Sequence, residues 1–327
     1  MAVPSWTQNI DNIFTSTWAY RRNDAIEQAY YKTPFIKWLK EKGKVEEVRG
    51  YRRIEIPLEY GSNDTARWIT KGSTVPLTEG ELLTMAYEDW KYVAVTVLRY
   101  GTEDQQNRGK ARIIPYVERK LNAAERSLWE ELERVVFSDG TGANEPNGLK
   151  NIIDVGASGV LSPVTGTVHG LNRATYTWWR NQSLVATGVM SIYLIPDMRS
   201  LMNRITTYSR LEINDLAMVT TQTVFEAYED ESLELLRFSK GDTGDPSFGN
   251  LTYRGRPIMW ARSCPSGKMY FINAEYLKLV IDPDYFMDMT EWKTIPDQVN
   301  DRVAQIVCAM QMITTRPVAL GVLTDLA

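Results

Sequence analysis

Apolar and polar residues alternate along residues 49–60 of the chain. The apolar positions are Ile54, Ile56, Leu58 and Tyr60, and the positions between them are Arg53, Glu55, Pro57 and Glu59. A period of two residues predicts a strand with one apolar face. Pro57 lacks a backbone donor, which favours an edge strand or a two-stranded ribbon. A second strand is predicted over residues 87–100, which are rich in Val, Tyr and Trp.

The segment between these two strands, residues 61–86, is long and mostly polar. It is built largely from Gly, Ser, Asn, Thr, Pro and Glu and has few apolar anchors. An excursion of this length inside a folded chain is uncommon and usually functional. Because an isolated two-stranded ribbon is marginal in water, we expect the ribbon to lie on another surface.

A long helix is predicted over residues 115–137. Its apolar residues recur at steps of three and four: Val117, Leu121, Ala124, Leu128, Leu132 and Val135. This spacing forms one continuous apolar stripe along a helix. Pro115 suits the first helical position, and Gly140 follows the predicted end.

The segment before the ribbon shows weaker patterns. Residues 1–23 have no clear period, so we expect an arm without a core of its own. Asp24 can cap a helix that runs to Lys42, and Pro34 should break that helix into two pieces.

Beyond residue 150 the pattern mixes helix and strand, which predicts an α+β fold. Residues 191–195 predict a short buried strand, and Asp197 is expected to cap a following helix. Residues 302–313 form a strongly apolar run that predicts a strand, and a last strand is predicted over residues 318–323.

Composition limits the possible partners of the chain. A net charge of -4 argues against a dedicated nucleic-acid binder. No stretch approaches the length of a membrane helix, so no membrane partner is expected. The chain contains ten Trp and seventeen Tyr, several of them in segments that look extended or loop-like. Such rings serve either core packing or protein–protein interfaces, and the pattern leaves both alternatives open.

The sequence pattern predicts no catalytic, cofactor-binding or metal-binding residue. His169 is the single histidine, and the two cysteines, Cys264 and Cys308, have no neighbouring histidine in sequence. A catalytic triad or a histidine-rich metal site needs more partners than these. We therefore expect no enzymatic activity. The rival from another class is a soluble hydrolase whose acid pair is assembled from distant residues.

The order of these elements resembles the Hong Kong 97 capsid fold of tailed phages. Residues 33–61 (TPFIKWLKEKGKVEEVRGYRRIEIPLEYG) look like the entry into the extended E-loop of that family, and residues 137–153 (FSDGTGANEPNGLKNII) look like the loop after its spine helix. Residues 248–282 and 301–323 are similar to its closing segments. The resemblance spans nearly the whole chain and is carried by the ordered set, because no single stretch is diagnostic.

The resemblance implies a division of the chain into four parts. Residues 1–48 form an N-terminal arm with short helices, and residues 49–100 form the E-loop, an extended β-hairpin. Residues 101–150 and 285–327 form the P domain, which contains the spine helix at 115–137. Residues 151–284 form an α/β A domain.

The resemblance also implies a function and a set of partners. The chain would be a major capsid protein that assembles through hexamers and pentamers into an icosahedral shell around double-stranded DNA. It would act in the virion capsid after a stage in the host cytoplasm. A separate scaffolding protein, a portal and a cement protein would be further partners, and the DNA would be contacted without sequence specificity. The rival with the same fold is an encapsulin-like nanocompartment shell protein.

Six residues are candidate assembly contacts: Arg52, Arg53, Trp68, Ile69, Lys71 and Trp90. Some members of the family join an E-loop Lys to an Asn of a neighbouring P domain with the help of a Glu. By resemblance, Lys71 and Asn300 occupy the first two positions, but Val307 occupies the position of the Glu. Valine cannot accept a proton, so we expect no covalent links between subunits.

Overall fold

The structure is a computed structural model, and it describes 11–22, 34–50, 52–61, 65, 67–74, 82–102, 110–142, 144–155, 166–208, 215–238, 251–296, 298 and 301–326. We number six helices: α1 (residues 11–22), α2 (Pro34–Glu41), α3 (Lys110–Val136), α4 (Leu149–Ile152), α5 (Met190–Tyr208) and α6 (Gln222–Phe238). None of the helices in these ranges combines the length and hydropathy that crossing a bilayer requires.

Fifteen strands lie in the same ranges. They are β1 (Val45–Glu47), β2 (Arg53–Glu59), β3 (Leu83–Asp89), β4 (Lys91–Arg99), β5 (Thr167–Val168), β6 (Leu171–Asn172), β7 (Gln182–Val185), β8 (Leu216–Thr220), β9 (Thr252–Tyr253), β10 (Arg256–Trp260), β11 (Met269–Asn273), β12 (Leu277–Met289), β13 (Lys293–Thr294), β14 (Arg302–Thr314) and β15 (Gly321–Thr324). Short 3-10 turns occur at Thr177–Trp179 and Pro317–Ala319.

Strand β14 is the central strand of a five-stranded sheet. It pairs antiparallel with β12 from Leu277 opposite Thr314 to Met289 opposite Ile306, and it pairs antiparallel with β4 along its other edge. Strand β1 extends the sheet parallel to β12, and β13 pairs with the start of β14. The apolar run of β14 is largely buried, as a central strand covered on both faces requires.

The second sheet has six strands in the order β7-β15-β11-β8-β10-β9. Strands β8 and β11 are buried along their full lengths. Helix α5 packs against β7 and β15 of this sheet, and α6 packs against β10. Buried side chains of α5 and the sheet form one apolar cluster, which includes Met198, Leu201, Ile205, Met218 and Phe271.

Helix α3 is 27 residues long and packs its apolar stripe against β4 and the main core. Leu121, Leu128 and Leu132 are buried, as the spacing predicts. The helix begins at Lys110 and not at the predicted Pro115. A proline near a helix start removes only one intrahelical hydrogen bond, so Pro115 is a weak signal for where this helix begins.

The prediction that residues 1–23 form an arm without a core is wrong for residues 11–22. These residues form α1, and its side chains Phe14 and Trp18 are buried against the rest of the chain. The Trp18 indole donates a hydrogen bond to the carbonyl of Met287 over 3.1 Å. Phe14 and Trp18 are four residues apart, a helical spacing that the short segment made easy to miss.

A carboxylate on α1 joins two arginines of the five-stranded sheet. Arg99 and Arg302 lie directly opposite each other on β4 and β14, and like charges at that position destabilise a strand pair. The carboxylate of Asp11 accepts hydrogen bonds from both guanidinium groups. Burial raises the pKa of Asp11 despite the opposing effect of the two arginines. The desolvation cost is therefore large, and the bridge fixes the position of α1 more than it adds net stability.

Two further sequence predictions are wrong. Residues 191–195 are not a strand but the start of α5, which runs through Pro196 without a break. Within this helix only Leu194 of the predicted strand is deeply buried, whereas Ile192 is 63% exposed. Asp197 does not cap the helix, and its carboxylate accepts hydrogen bonds from the backbone and the hydroxyl of Thr187 instead.

The structure also divides one predicted strand and pairs two other strands with distant segments. The predicted strand at residues 87–100 is divided at Trp90, so that β3 pairs with β2 while β4 joins the five-stranded sheet. Strand β1, assigned to the arm, pairs with β12. Strand β15, assigned to the P domain, lies in the six-stranded sheet between β7 and β11. Strands β1 and β15 are short, and their partners are far away in sequence. Strands β3 and β4 follow each other directly, with Trp90 between them.

We expect Asp11→Ala to lower the free energy of unfolding by about 3 kcal/mol, because two facing guanidinium groups lose their shared carboxylate. Chemical denaturation of the full chain measures this loss. The control is Glu46→Ala, which removes a more exposed ion pair with Lys278 at 3.0 Å and should cost less than about 1 kcal/mol. Equal losses in the two variants would show that the two facing arginines do not depend on the carboxylate of Asp11.

Candidate assembly interface

Strands β2 and β3 form a two-stranded ribbon that lies on the body of its own chain. The inner face of the ribbon consists of Ile54, Ile56, Leu58 and Ala86, all of which are buried. They pack in one cluster with Leu171, Trp179, Val280 and Ile313. The alternation in β2 therefore points its apolar side chains toward the body, which gives the ribbon the support that an isolated hairpin lacks.

The outer face of the ribbon is also apolar along β3. Leu83 is 74% exposed, Met85 is 55% exposed and Tyr87 is 46% exposed. The residues opposite them on β2 are Glu59, Pro57 and Glu55. A continuous apolar strip of this kind on a protein surface marks an interaction site.

The described part of the ribbon tip, residues 67–74, is exposed throughout. The exposed fraction of Trp68 is 103%, and that of Ile69 is 61%. Thr70 and Ser73 close a tight turn, in which the backbone of Thr70 donates to the Ser73 hydroxyl over 3.0 Å. Lys71 lies in this turn and is also exposed. The tip thus presents two large apolar side chains and a cation to solvent.

The remaining candidate contacts fall in different places. Arg52 is exposed just before β2. Arg53 binds Asp89 over 2.7 Å and lies 5.0 Å from the ring centre of Tyr87, on the outer face of the ribbon. Trp90 is half-buried against the cluster beneath the ribbon. The structure therefore brings Arg53 to the exposed strip, keeps three candidates at the tip, and places Trp90 within its own subunit.

Sequence reasoning missed the exposed strip of β3. Leu83, Met85 and Tyr87 alternate with Thr84, Ala86 and Glu88, which is the same period of two that identified β2. The signal was present, but residues 61–86 were interpreted together as one polar excursion. Dividing that segment at the start of the alternation would have found both β3 and its apolar outer face.

A groove of about 730 Å³ runs between β2 and the body. Val48, Val280 and Ile313 belong to its apolar lining, and Glu46 and Lys278 form an ion pair of 3.0 Å at its side. The groove lies beneath the ribbon, since Val280 and Ile313 are buried in the cluster there.

Several carboxylates in the described part of the chain have shifted pKa values, and each is bound to a cation. A hydrogen bond from Arg134 lowers the pKa of Glu131. Hydrogen bonds from Lys150 and Thr141 lower the pKa of Asp139. Asp11 is held between two arginines. Glu131 and Glu145 share the Arg134 guanidinium, at 2.6 and 2.9 Å, so this neighbouring pair of carboxylates is bridged by a cation.

Comparison with known proteins gives a match at the level of structure. No family model matches the sequence, and no curated protein is similar to it in sequence. The capsid asymmetric unit of cyanophage A-1(L) matches with a TM-score of 0.68 at 16% identity, over 90% of this chain and 93% of that one. The procapsid of satellite phage P4, with its size determination protein, matches with a TM-score of 0.54 at 11% identity, over 100% of this chain and 93% of that one. A virus-like particle from Pyrococcus furiosus matches with a TM-score of 0.51 at 12% identity, over 92% of this chain and 96% of that one.

The chain has the Hong Kong 97 capsid fold. The prediction of an α+β capsid fold is confirmed, because the likeness covers most of both chains in each comparison. At these identities the likeness establishes the fold alone. The division of the Hong Kong 97 fold into P and A domains stays a prediction for this chain, as do the six candidate contacts.

The two tryptophans of the ribbon segment permit a matched test of where the exposed surface lies. Trp68→Ala should leave the free energy of unfolding of the isolated subunit unchanged, since the side chain touches little of its own chain. Trp90→Ala should lower it by about 3 kcal/mol, because the indole is packed under the ribbon. Thermal and chemical unfolding of the two variants provide the comparison. A loss of similar size in both variants would contradict the exposed position of the tip.

Proposed function

We propose that the chain is a major capsid protein that builds an icosahedral shell through hexamers and pentamers. The observation that carries the proposal is the ribbon β2–β3, whose outer face leaves Leu83, Met85 and Tyr87 exposed although its inner face is already buried. A monomer gains nothing from an exposed apolar strip, whereas an obligate assembly covers it. The Hong Kong 97 fold supports the same conclusion, because the matching proteins are capsid and virus-like particle subunits.

In this proposal the ribbon is the E-loop and lies across a neighbouring subunit. Trp68 and Ile69 are then the apolar anchors of the tip, and Arg52, Arg53 and Lys71 supply charged contacts at its rim. Large aromatic and basic side chains of this kind are enriched at protein–protein interfaces. Trp90 acts indirectly, by supporting the base of the ribbon from within its own subunit.

The enclosed material in this proposal is double-stranded DNA, contacted without sequence specificity. The chain carries a net charge of -4, so binding would be weak and confined to local basic patches. A scaffolding protein, a portal and a cement protein are the further partners that the fold leads us to expect. The shell would be the capsid of a virion, formed after a stage in the host cytoplasm.

A nanocompartment that encloses protein cargo is the second candidate. The match to a virus-like particle from Pyrococcus furiosus supports this second candidate, because its TM-score is nearly the same as that of the phage P4 procapsid. Nucleic-acid content separates the two candidates. Shells isolated from their native source would contain double-stranded DNA in the first case and protein cargo in the second.

We expect the purified chain to form closed shells under the electron microscope, and deletion of residues 62–80 to abolish them. The deleted segment includes Trp68 and Ile69 but spares the inner face of the ribbon, so the deletion variant should remain soluble and unfold cooperatively. Trp68→Ala is the milder variant and should reduce the yield of shells. Normal shells from the deletion variant would refute the role of the tip. An unaltered chain that forms neither shells nor hexamers or pentamers would refute the proposed function.

We also expect mature shells to contain no covalent links between subunits. Val307 lies in β14 beside Ala94 and Asp288, and the carboxylate of Asp288 is paired with Arg22 at 3.5 Å. Lys71 is exposed, and Asn300 lies outside the described residues. Denaturing electrophoresis should give one band near 37.4 kDa. A ladder that resists boiling and reductant would show that links form, with Asp288 as the first carboxylate to replace by Asn.

A further inference from the structure

The single histidine of the chain lies beneath the ribbon. His169 is 1% exposed and forms the turn between β5 and β6 together with Gly170. Both residues have positive φ angles, 52° and 76°, as a two-residue hairpin turn of type I′ requires. A Cβ on Gly170 would lie 2.8 Å from the ring of Tyr87, so only glycine lets the ribbon approach this turn so closely.

The hydrogen bonds of His169 determine where its proton lies. The backbone N–H of Thr314, at the end of β14, donates to Nε2 over 3.1 Å. A backbone N–H can only donate, so Nε2 carries no hydrogen. The proton of the neutral ring is therefore on Nδ1, from which it is donated to Glu88 Oε1 over 3.2 Å.

Glu88 links this histidine to two further segments. Its carboxylate accepts a hydrogen bond from the side-chain amide of Asn147. Gln311 Nε2 lies 3.5 Å from Glu88 Oε2, and Gln311 Oε1 accepts from the backbone N–H of Asn147 over 2.9 Å. The network thus joins the ribbon, the β5–β6 turn, the loop after α3, and strand β14.

The charged groups around His169 are few among the described residues. On the ribbon, Glu88 faces the ring, whereas the carboxylate of Asp89 is bound to Arg53 over 2.7 Å. Arg173, just after β6, donates instead to the carbonyls of Asn151 and Ile152. From the 3-10 turn, Trp179 presents an aromatic ring at 6.2 Å, and from β14 the contacts are the uncharged Gln311 and Thr314.

We propose that His169 is a proton-sensitive latch that holds the ribbon on β14. Uptake of a proton at Nε2 places two N–H donors face to face, so the bond to Thr314 is lost inside the protein. The imidazolium keeps its bond to the carboxylate of Glu88, because Nδ1 carries a hydrogen in both protonation states.

The ribbon moves together with the histidine in this proposal. Tyr87 donates its backbone N–H to the carbonyl of His169 over 3.2 Å, and Glu88 holds the ring. The contact that gives way is therefore the one between the β5–β6 turn and β14. Gln311 of β14 still donates to Glu88 and to the carbonyl of Asp89, over 3.5 and 3.3 Å, so the ribbon is loosened at this turn and not released. This inference rests on the fold of the subunit and not on the proposed capsid function.

The untagged full chain provides a clean test, because its only imidazole is that of His169. Nitrogen-15 NMR should show a neutral ring protonated on Nδ1 near pH 8 and an imidazolium as the pH is lowered. Hydrogen-exchange protection of the β3 amides should fall by about tenfold across the same titration, the effect of losing one buried hydrogen bond. Protection of β11, in the other sheet, should stay constant. A ring protonated on Nε2 near pH 8, or a titration without loss of β3 protection, overturns the proposal.

Two variants show whether the pH dependence of β3 protection comes from His169 or from other groups in the chain. His169→Gln can accept from Thr314 and donate to Glu88 but cannot gain a proton, so β3 protection should no longer depend on pH. Glu88→Gln removes the charge that favours the imidazolium, so both the titration and the loss of protection should move to lower pH. Equal pH dependence in His169→Gln and the unaltered chain would refute the latch. If His169→Gln fails to fold, the shift in Glu88→Gln and the NMR titration still decide it.

Discussion

Burial of the inner face of the ribbon determines which residues the subunit leaves exposed. Ile54, Ile56 and Leu58 occupy every second position of β2 and are committed to the body of the chain. The period of two then directs Leu83, Met85 and Tyr87 of β3 to the opposite side, where they stay 74%, 55% and 46% exposed. A two-stranded ribbon has no third layer of its own, and in the proposed assembly a neighbouring subunit covers this second face.

Strand β14 transmits the position of the ribbon to the rest of the subunit. It pairs with β12 and β4, so it fixes the five-stranded sheet on which α3 packs. Its Ile313 contributes to the cluster under the ribbon, and its Gln311 and Thr314 belong to the polar network there. At the other end its Arg302 holds α1 through Asp11. A disturbance of this one strand therefore reaches the N-terminal helix, the sheet and the ribbon together.

Periodic patterns made the regular elements predictable from sequence, and long-range polar contacts were not predictable. The alternation in β2, the stripe of α3 and the apolar run of β14 each identify their element because burial imposes a period. The start of α5 failed because Ile192 and Tyr193 favour strands by propensity, while the tertiary packing of Leu194 and Met198 selects a helix. The contacts of Asp11 span 88 and 291 residues, and that of Glu88 with His169 spans 81. Nothing in a local pattern indicates such a partner.

The two polar networks hold β14 at opposite ends and contain different titratable groups. The strand has 13 residues, so its ends lie roughly 40 Å apart. At its start, the clamp on α1 depends on the carboxylate of Asp11, whose pKa is raised by burial. At its end, the bond from Thr314 to His169 requires that Nε2 carry no proton. Loss of that bond in the proposed latch would act at the ribbon end alone, because Arg302 and Asp11 lie at the other end of the strand.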